Sequence, residues 1–355
     1  MGFVVMTDTV NSERPDAALP WIRNARFDTG FIFGLFALSC ITGMVILMEP
    51  TLFYPILVID LWFLGYHHVI STFTRICFDK ESFQEHKFLM VGLLPIVIVV
   101  TLGVAWVFGL WVIVSIYFYW QWFHYTRQSW GISRAYRGKD RQASYEDGWL
   151  DQAIFYSIPV FGIASRSAEQ HATFIGMELW SFPLPQIVAD LSGYIAIGLL
   201  AFWVLSRAKA AVQGQLATVH TMYMITHFAI FYLAYIATND ITLGWLMINI
   251  WHNAQYILFV WMFNNKRFKG GIDPDAKFLS YISQSGRLWL YLLTCVAITG
   301  VVYWGVLRAL DWFFFAGLSA TIVLYQIVNF HHYMIDSKIW KLRKPKMQKT
   351  LQLGE

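Results

Sequence analysis

Apolar residues run along this chain in long blocks, without the strict alternation of a half-buried strand, and a membrane-spanning helix needs roughly 20 mainly apolar residues. Ten blocks approach that length: 30–48, 52–74, 87–107, 109–130, 149–164, 186–206, 215–237, 241–263, 288–307 and 312–334. The pattern predicts an all-α, polytopic integral membrane bundle of about ten transmembrane helices. It divides the chain into a cytoplasmic or interfacial segment over 1–29, a transmembrane domain over 30–335 and a basic cytoplasmic tail over 336–355. The fifth block is the shortest and holds Asp151 and Pro159, so a tilted, kinked or re-entrant helix is expected there.

Charge orients the bundle. Cytoplasmic loops carry the excess of Lys and Arg, and with the N-terminus inside, 24 of the 26 such residues fall on the inner side, leaving Arg166 and Arg308 outside. Removing any one helix would exchange the sides of all later charges and collapse that split, so ten spans with the N-terminus and C-terminus both cytoplasmic is the consistent solution. Asp8, Glu13, Pro15 and Asp16 precede the first apolar block, so no cleavable signal peptide is expected and the first helix would direct insertion into a bacterial inner (cytoplasmic) membrane. Trp21 and Ile22 beside Arg23 read as an interfacial anchor. The cations from Lys338 to Lys349 set topology or attract anionic lipid. The longest outer stretch, 165–185, with His171 and Trp180, reads as a lid or an interfacial loop.

Composition agrees with this reading: 57% of the 355 residues are hydrophobic, only 14% are charged, and mean hydropathy is +0.49, which together exclude disorder and an ordinary soluble domain. Cys40, Cys77 and Cys295 lie far apart and form no CxxC pair, so neither a disulfide framework nor a zinc-finger spacing is present. No nucleic-acid partner is expected; the partners are membrane lipids.

The candidate chemistry lies in the histidines. Eight of ten map to the inner half or the middle of five helices: His67, His68, His124, His220, His227, His252, His331 and His332. Ionisable groups within spans are costly and mark function, and imidazole is the commonest metal ligand, suited to Fe, Cu, Zn and Ni. Converging imidazoles in a dry bundle therefore predict a metal site. His220 and His227 share a helix face about 10 Å apart along the axis, too far for one ion, so they would serve two levels of a site. The neighbours His67 and His68, and likewise His331 and His332, point about 100° apart, so both members reach metal only by bracketing a dinuclear centre; otherwise one of each faces lipid headgroups. Asp336, four residues after His332, and Asp60, seven before His67 on the same expected face, supply the carboxylates of the candidate catalytic site. His124 and Gln128 are also four apart. Asn249, Asn253 and Gln255 around His252 read as interhelical hydrogen-bonding residues. No HExxH, GxGxxG, Walker or GxSxG motif is present, so hydrolysis and nucleotide use lose their usual supports.

The histidine-bearing elements are GYHH ending at 68, WFHYTRQSWG at 122–131, HTMYMITH at 220–227, WHNAQ at 251–255 and NFHHYMID at 329–336. In layout this set resembles the di-iron fatty-acid desaturases and hydroxylases, which carry many histidines at the cytosolic ends of their helices, although their HxxxH and HxxHH boxes are not matched. It also resembles the Brp/Blh-type bacterial carotene dioxygenases, which scatter single histidines across a helical membrane domain. Either resemblance implies iron and dioxygen. The leading expectation is a metal-dependent oxidoreductase with a non-haem, dinuclear iron centre, which hydroxylates, desaturates or oxidatively cleaves a hydrophobic substrate and draws on an electron-donor protein. In it His67, His124, His220, His252 and His332 are core ligands and His68, His227 and His331 complete the shell. Two alternatives stand beside it: a b-type haem electron-transfer protein using His220, His227 and His252, and a transporter of protons or metal ions along His227, His252, Asp60 and Asp151.

Overall fold

A computed structural model describes residues 19–140, 148–305 and 320–353; Arg308 and the start of the 312–334 block lie outside them. In chain order the main helices are α1 (Ala25–Met48), α2 (Pro50–Cys77), α3 (Phe88–Phe108), α4 (Leu110–Lys139), α5 (Gly148–Ala168), α6 (Gln186–Val212), α7 (Thr218–Ala237), α8 (Ile241–Arg267), α9 (Leu288–Trp304), α10 (Ala320–Ile339) and α11 (Pro345–Leu351). Five of them, α1, α2, α3, α6 and α7, are long and apolar enough to cross a membrane, and α9 is a shorter apolar helix. The other predicted blocks are also helices, but their spans carry polar side chains that the bundle buries.

Local chemistry sets the helix ends. Asn24 caps α1 by accepting from the Phe27 N–H at 2.9 Å, and Asp240 caps α8 by accepting from Thr242 and Leu243 at 2.8 and 3.1 Å. Gly109, at φ 93°, makes the turn between α3 and α4 that a side-chain-bearing residue would resist. α4 outlasts its apolar block by more than two turns, because Arg127, Arg134 and Arg137 end the hydropathy without ending the helix.

α8 is the axis of the molecule, buried on almost every face from Ile241 to Asn264 and packed on α1, α2 and α7. A helix buried all round has no solvent face, so its polar side chains Asn249, His252, Asn253 and Gln255 lie within the bundle. Its crossing with α7 is so close that a Cβ on Gly244 would overlap the Ala234 carbonyl. The 165–185 stretch packs against the bundle. Thr173–Phe174 and Met177–Glu178 form a hairpin across Ile175 and Gly176, both at positive φ, and it inserts the fully buried Phe174 ring 5.2 Å from Phe118 and 5.6 Å from Trp245.

The tail folds back on the protein. α11 packs on α8 and buries Met347 and Leu351, which stand four apart on one face. Lys344 and Lys346 reach Glu85 and Glu81, each at 2.7 Å. The boundary drawn at 336 falls inside α10.

Candidate metal centre

Four helices each contribute one imidazole to a buried cluster: His68 from α2, His124 from α4, His332 from α10 and, packed against the first two, His252 from α8. Ring centroids stand 4.4 Å apart for His68 and His332, 4.9 Å for His68 and His252, 5.1 Å for His124 with either His252 or His332, and 6.1 Å for His68 and His124. All four are buried, and the Nε2 atom of every one lacks a hydrogen-bond partner. One ligand atom each from His68, His124, His332 and Asp336 lies within 4.8 Å of all the others.

These residues fit a metal ion. An imidazole nitrogen binds a first-row ion at about 2.0–2.1 Å, which puts each ring centre roughly 3 Å from the ion and rings sharing that ion about 4.5–6.5 Å apart. The observed separations match that range. An unsatisfied buried polar group costs about 1–3 kcal/mol, and a metal ion would satisfy several of these imidazole nitrogens at once.

A small network holds the cluster in shape. The Thr72 hydroxyl donates to Asp336 Oδ1 at 3.1 Å and stands 3.0 Å from His332 Nδ1, so the imidazole Nδ1–H donates to it. That tautomer leaves the lone pair on His332 Nε2 facing the cluster. The Tyr256 hydroxyl donates to the same Asp336 oxygen at 2.7 Å and accepts from the Trp340 indole at 2.8 Å. Asp336 Oδ2 is left unpaired, 3.5 Å from His332 Nε2. Tyr333 stacks on His124 with centroids 4.2 Å apart, and Tyr125 lies 4.1 Å from His252.

The other singled-out residues lie elsewhere. His67 is buried, and its Nδ1–H donates to the Phe63 carbonyl of its own helix at 3.1 Å. His331 is also buried, away from lipid headgroups; its Nε2–H donates to the Leu89 carbonyl at 2.7 Å. His227 has both nitrogens engaged. Its Nε2–H donates to the Phe155 carbonyl at 3.1 Å, so its Nδ1 accepts from Ser129 at 2.9 Å. His220 Nε2 meets the Ser133 hydroxyl at 3.0 Å. Asp60 accepts from Asn249 at 2.6 Å, and Asn249 in turn accepts from Tyr125 at 2.5 Å, which places Asp60 behind the His252 wall of the cluster. Asp151 pairs with Arg137 at 2.9 Å and with Arg207.

A π-turn explains why His68, and not His67, enters the cluster. α2 carries one over Leu61–Gly65, and such a turn takes up one residue more than an α turn. The residue eight after Asp60, instead of seven, then returns to its face. Sequence reasoning also passed over Thr72 and Tyr256, although a signal was present. Thr72, Tyr256 and Asp336 each stand four residues after a cluster histidine, on the same helix face.

A cavity of about 270 Å³ opens beside the cluster, with His124, Asp336 and Tyr256 at its inner end, Trp120 and Phe123 along its side and Arg127 among its further lining residues. Comparison with protein-family models, curated proteins and solved structures finds no match for this chain. The buried His/Asp cluster and the apolar helices are together compatible with a membrane metalloprotein.

Proposed function

We propose that this chain is an integral-membrane, metal-dependent oxidoreductase in which His68, His124, His252 and His332, with Asp336 beside them, hold one non-haem iron ion near the cytosolic ends of α2, α4 and α10. The observation that carries the reading is that His68, His124 and His332, each with an unpartnered Nε2, and Asp336 offer ligand atoms within 4.8 Å of one another, with the unpartnered His252 ring packed beside them. One ion is favoured over a dinuclear pair because His68, His124, His332 and Asp336 each offer a ligand atom within 4.8 Å of the others, with His252 beside His68 and His124. A bare ion is favoured over the haem reading on His220, His227 and His252, since both His227 nitrogens are already engaged, by the Phe155 carbonyl and the Ser129 hydroxyl. When bound, iron would supply activation of dioxygen for hydroxylation, desaturation or oxidative cleavage, with electrons from a donor protein where the reaction requires them.

The protein's own residues do the rest. Thr72 fixes the His332 tautomer, and Tyr256 holds one Asp336 oxygen so that the other faces the cluster. Trp120 and Phe123 give the adjoining cavity an apolar side through which a hydrophobic substrate enters and water is kept out. The cation distribution supports a cytoplasmic location for the cluster and for both termini.

The test is to load the detergent-purified protein with ferrous iron under argon and add nitric oxide as a stand-in for dioxygen. A new visible absorption and a paramagnetic signal, with about one iron per chain, are expected. Full occupancy by zinc with no uptake of iron would overturn the reading.

A further inference from the structure

The cavity beside the cluster does not end at Phe123. A second, open groove, lined by Trp111, Ser115, Tyr119, Trp120, Phe123 and Trp180, adjoins it at Trp120 and Phe123, so the two lie end to end along α4 as a candidate channel. From His124 back to Trp111 this channel follows about 20 Å of helix at 1.5 Å per residue. The walls of the second groove are almost wholly aromatic and aliphatic.

The opposite end is different in kind. Arg127 and Gln128 lie one turn beyond His124, toward the cytosolic face, and both line the cavity. The Arg127 guanidinium donates to the Tyr156 hydroxyl at 2.7 Å, and among the described residues no carboxylate pairs with it. The Gln128 side-chain oxygen is buried without a partner; rotating that amide by half a turn presents its N–H instead. A planar guanidinium fork with an amide donor beside it matches a carboxylate. A phosphate would be expected to draw several cations.

We propose that this channel takes a single-chain amphiphile with a carboxylate head, held by Arg127 and Gln128, with its tail running outward along α4 past Trp120 and Phe123 toward Trp111 and Trp180. The proposal rests on the metal-site reading for its chemical consequence. His124 is one turn from the head-binding residues, so the metal faces a carbon within a few bonds of the carboxylate, and the far end of the tail lies beyond its reach.

The test uses oleate, methyl oleate and phosphatidic acid as probes against full-length protein in detergent, with metal content measured on the same samples. Oleate is expected to bind at least about tenfold more tightly than its methyl ester, the size of one charge-assisted hydrogen bond. Arg127→Gln should remove that preference and Arg127→Lys should restore part of it, both at unchanged metal content. A diazirine at the tail end of the acid should label the Trp111 or Trp180 region. Equal binding of acid and ester by the wild-type protein, or displacement of oleate by phosphatidic acid at equal concentration, would overturn the proposal whatever the variants do. Those outcomes leave the metal reading intact. Metal retained after loss of His124 and His332 would fail that reading alone and leave the carboxylate preference standing.

Discussion

The cluster of His68, His124, His252 and His332 and the pair His220 and His227 present the same side chain, equally buried, in two different states of satisfaction. In the pair, Ser133 and Ser129 meet the rings and the Phe155 carbonyl takes a further proton, so His227 is complete within the protein. In the cluster, the Nε2 atoms of all four rings are buried without a hydrogen-bond partner. Burial alone therefore does not mark a ligand in this bundle. What separates the cluster from His227 is convergence: each cluster ring keeps an unpartnered Nε2 beside other such rings, whereas both His227 nitrogens are engaged within the protein.

That contrast can be broken most strongly by deleting single rings. His252→Ala or His68→Ala should weaken metal binding by at least about 100-fold, above the 10–100-fold typical of outer-shell changes, as read by titration with a competing chelator. His220→Ala should leave metal affinity unchanged. A smaller effect is expected from Thr72→Val, which keeps the shape but strips the acceptor from His332 Nδ1–H and a donor from Asp336; metal affinity should fall by about 10–100-fold. Thr72→Ser, which retains the hydroxyl, should stay near wild type.

On the other side of the comparison, His227→Phe leaves the Ser129 hydroxyl and the Phe155 carbonyl without their partner. It should cost about 1–3 kcal/mol of stability, visible as a lower melting temperature in detergent, with full metal content. Removing the metal from wild-type protein with a chelator should also lower the melting temperature, because a ligand that binds only the folded state stabilises it by about 4 kcal/mol at a thousandfold excess over its Kd. The same treatment should not move the His124→Ala/His332→Ala double variant.

The smallest effect concerns the tail. Lys344 holds the Glu85 carboxyl below its ordinary value of 4.5 by a hydrogen bond. A depressed carboxylate contributes stability that is present above the ordinary value and lost as pH falls through the folded one. Docking of α11 should therefore loosen just below pH 4.5, modestly, since Glu85 is half exposed and solvent screens the pair. Protease cleavage near Lys349, followed against pH, reads it.

Much of this was legible before the coordinates. The apolar blocks located the helices, and the depth of the histidines pointed toward one end of the bundle. Which rings meet was less legible, because rotation about each helix axis depends on features that hydropathy does not report. The π-turn at Leu61–Gly65 moved His68 into the place expected of His67, and the close crossing at Gly244 set α8 against α7. The seven-residue spacing of His220 and His227 was read correctly as a shared face, but that face meets Ser129 and Ser133 of α4. The tail reads from sequence only as cations that set topology or attract anionic lipid, because its two apolar contacts, Met347 and Leu351, are sparse.

The most direct measurement is the metal content of three purified proteins compared side by side: wild type, His124→Ala/His332→Ala and His220→Ala/His227→Ala. The account predicts about one ion per chain in the first, none in the second and about one in the third. Metal retained by the second, or lost from the third while it remains folded, would contradict it.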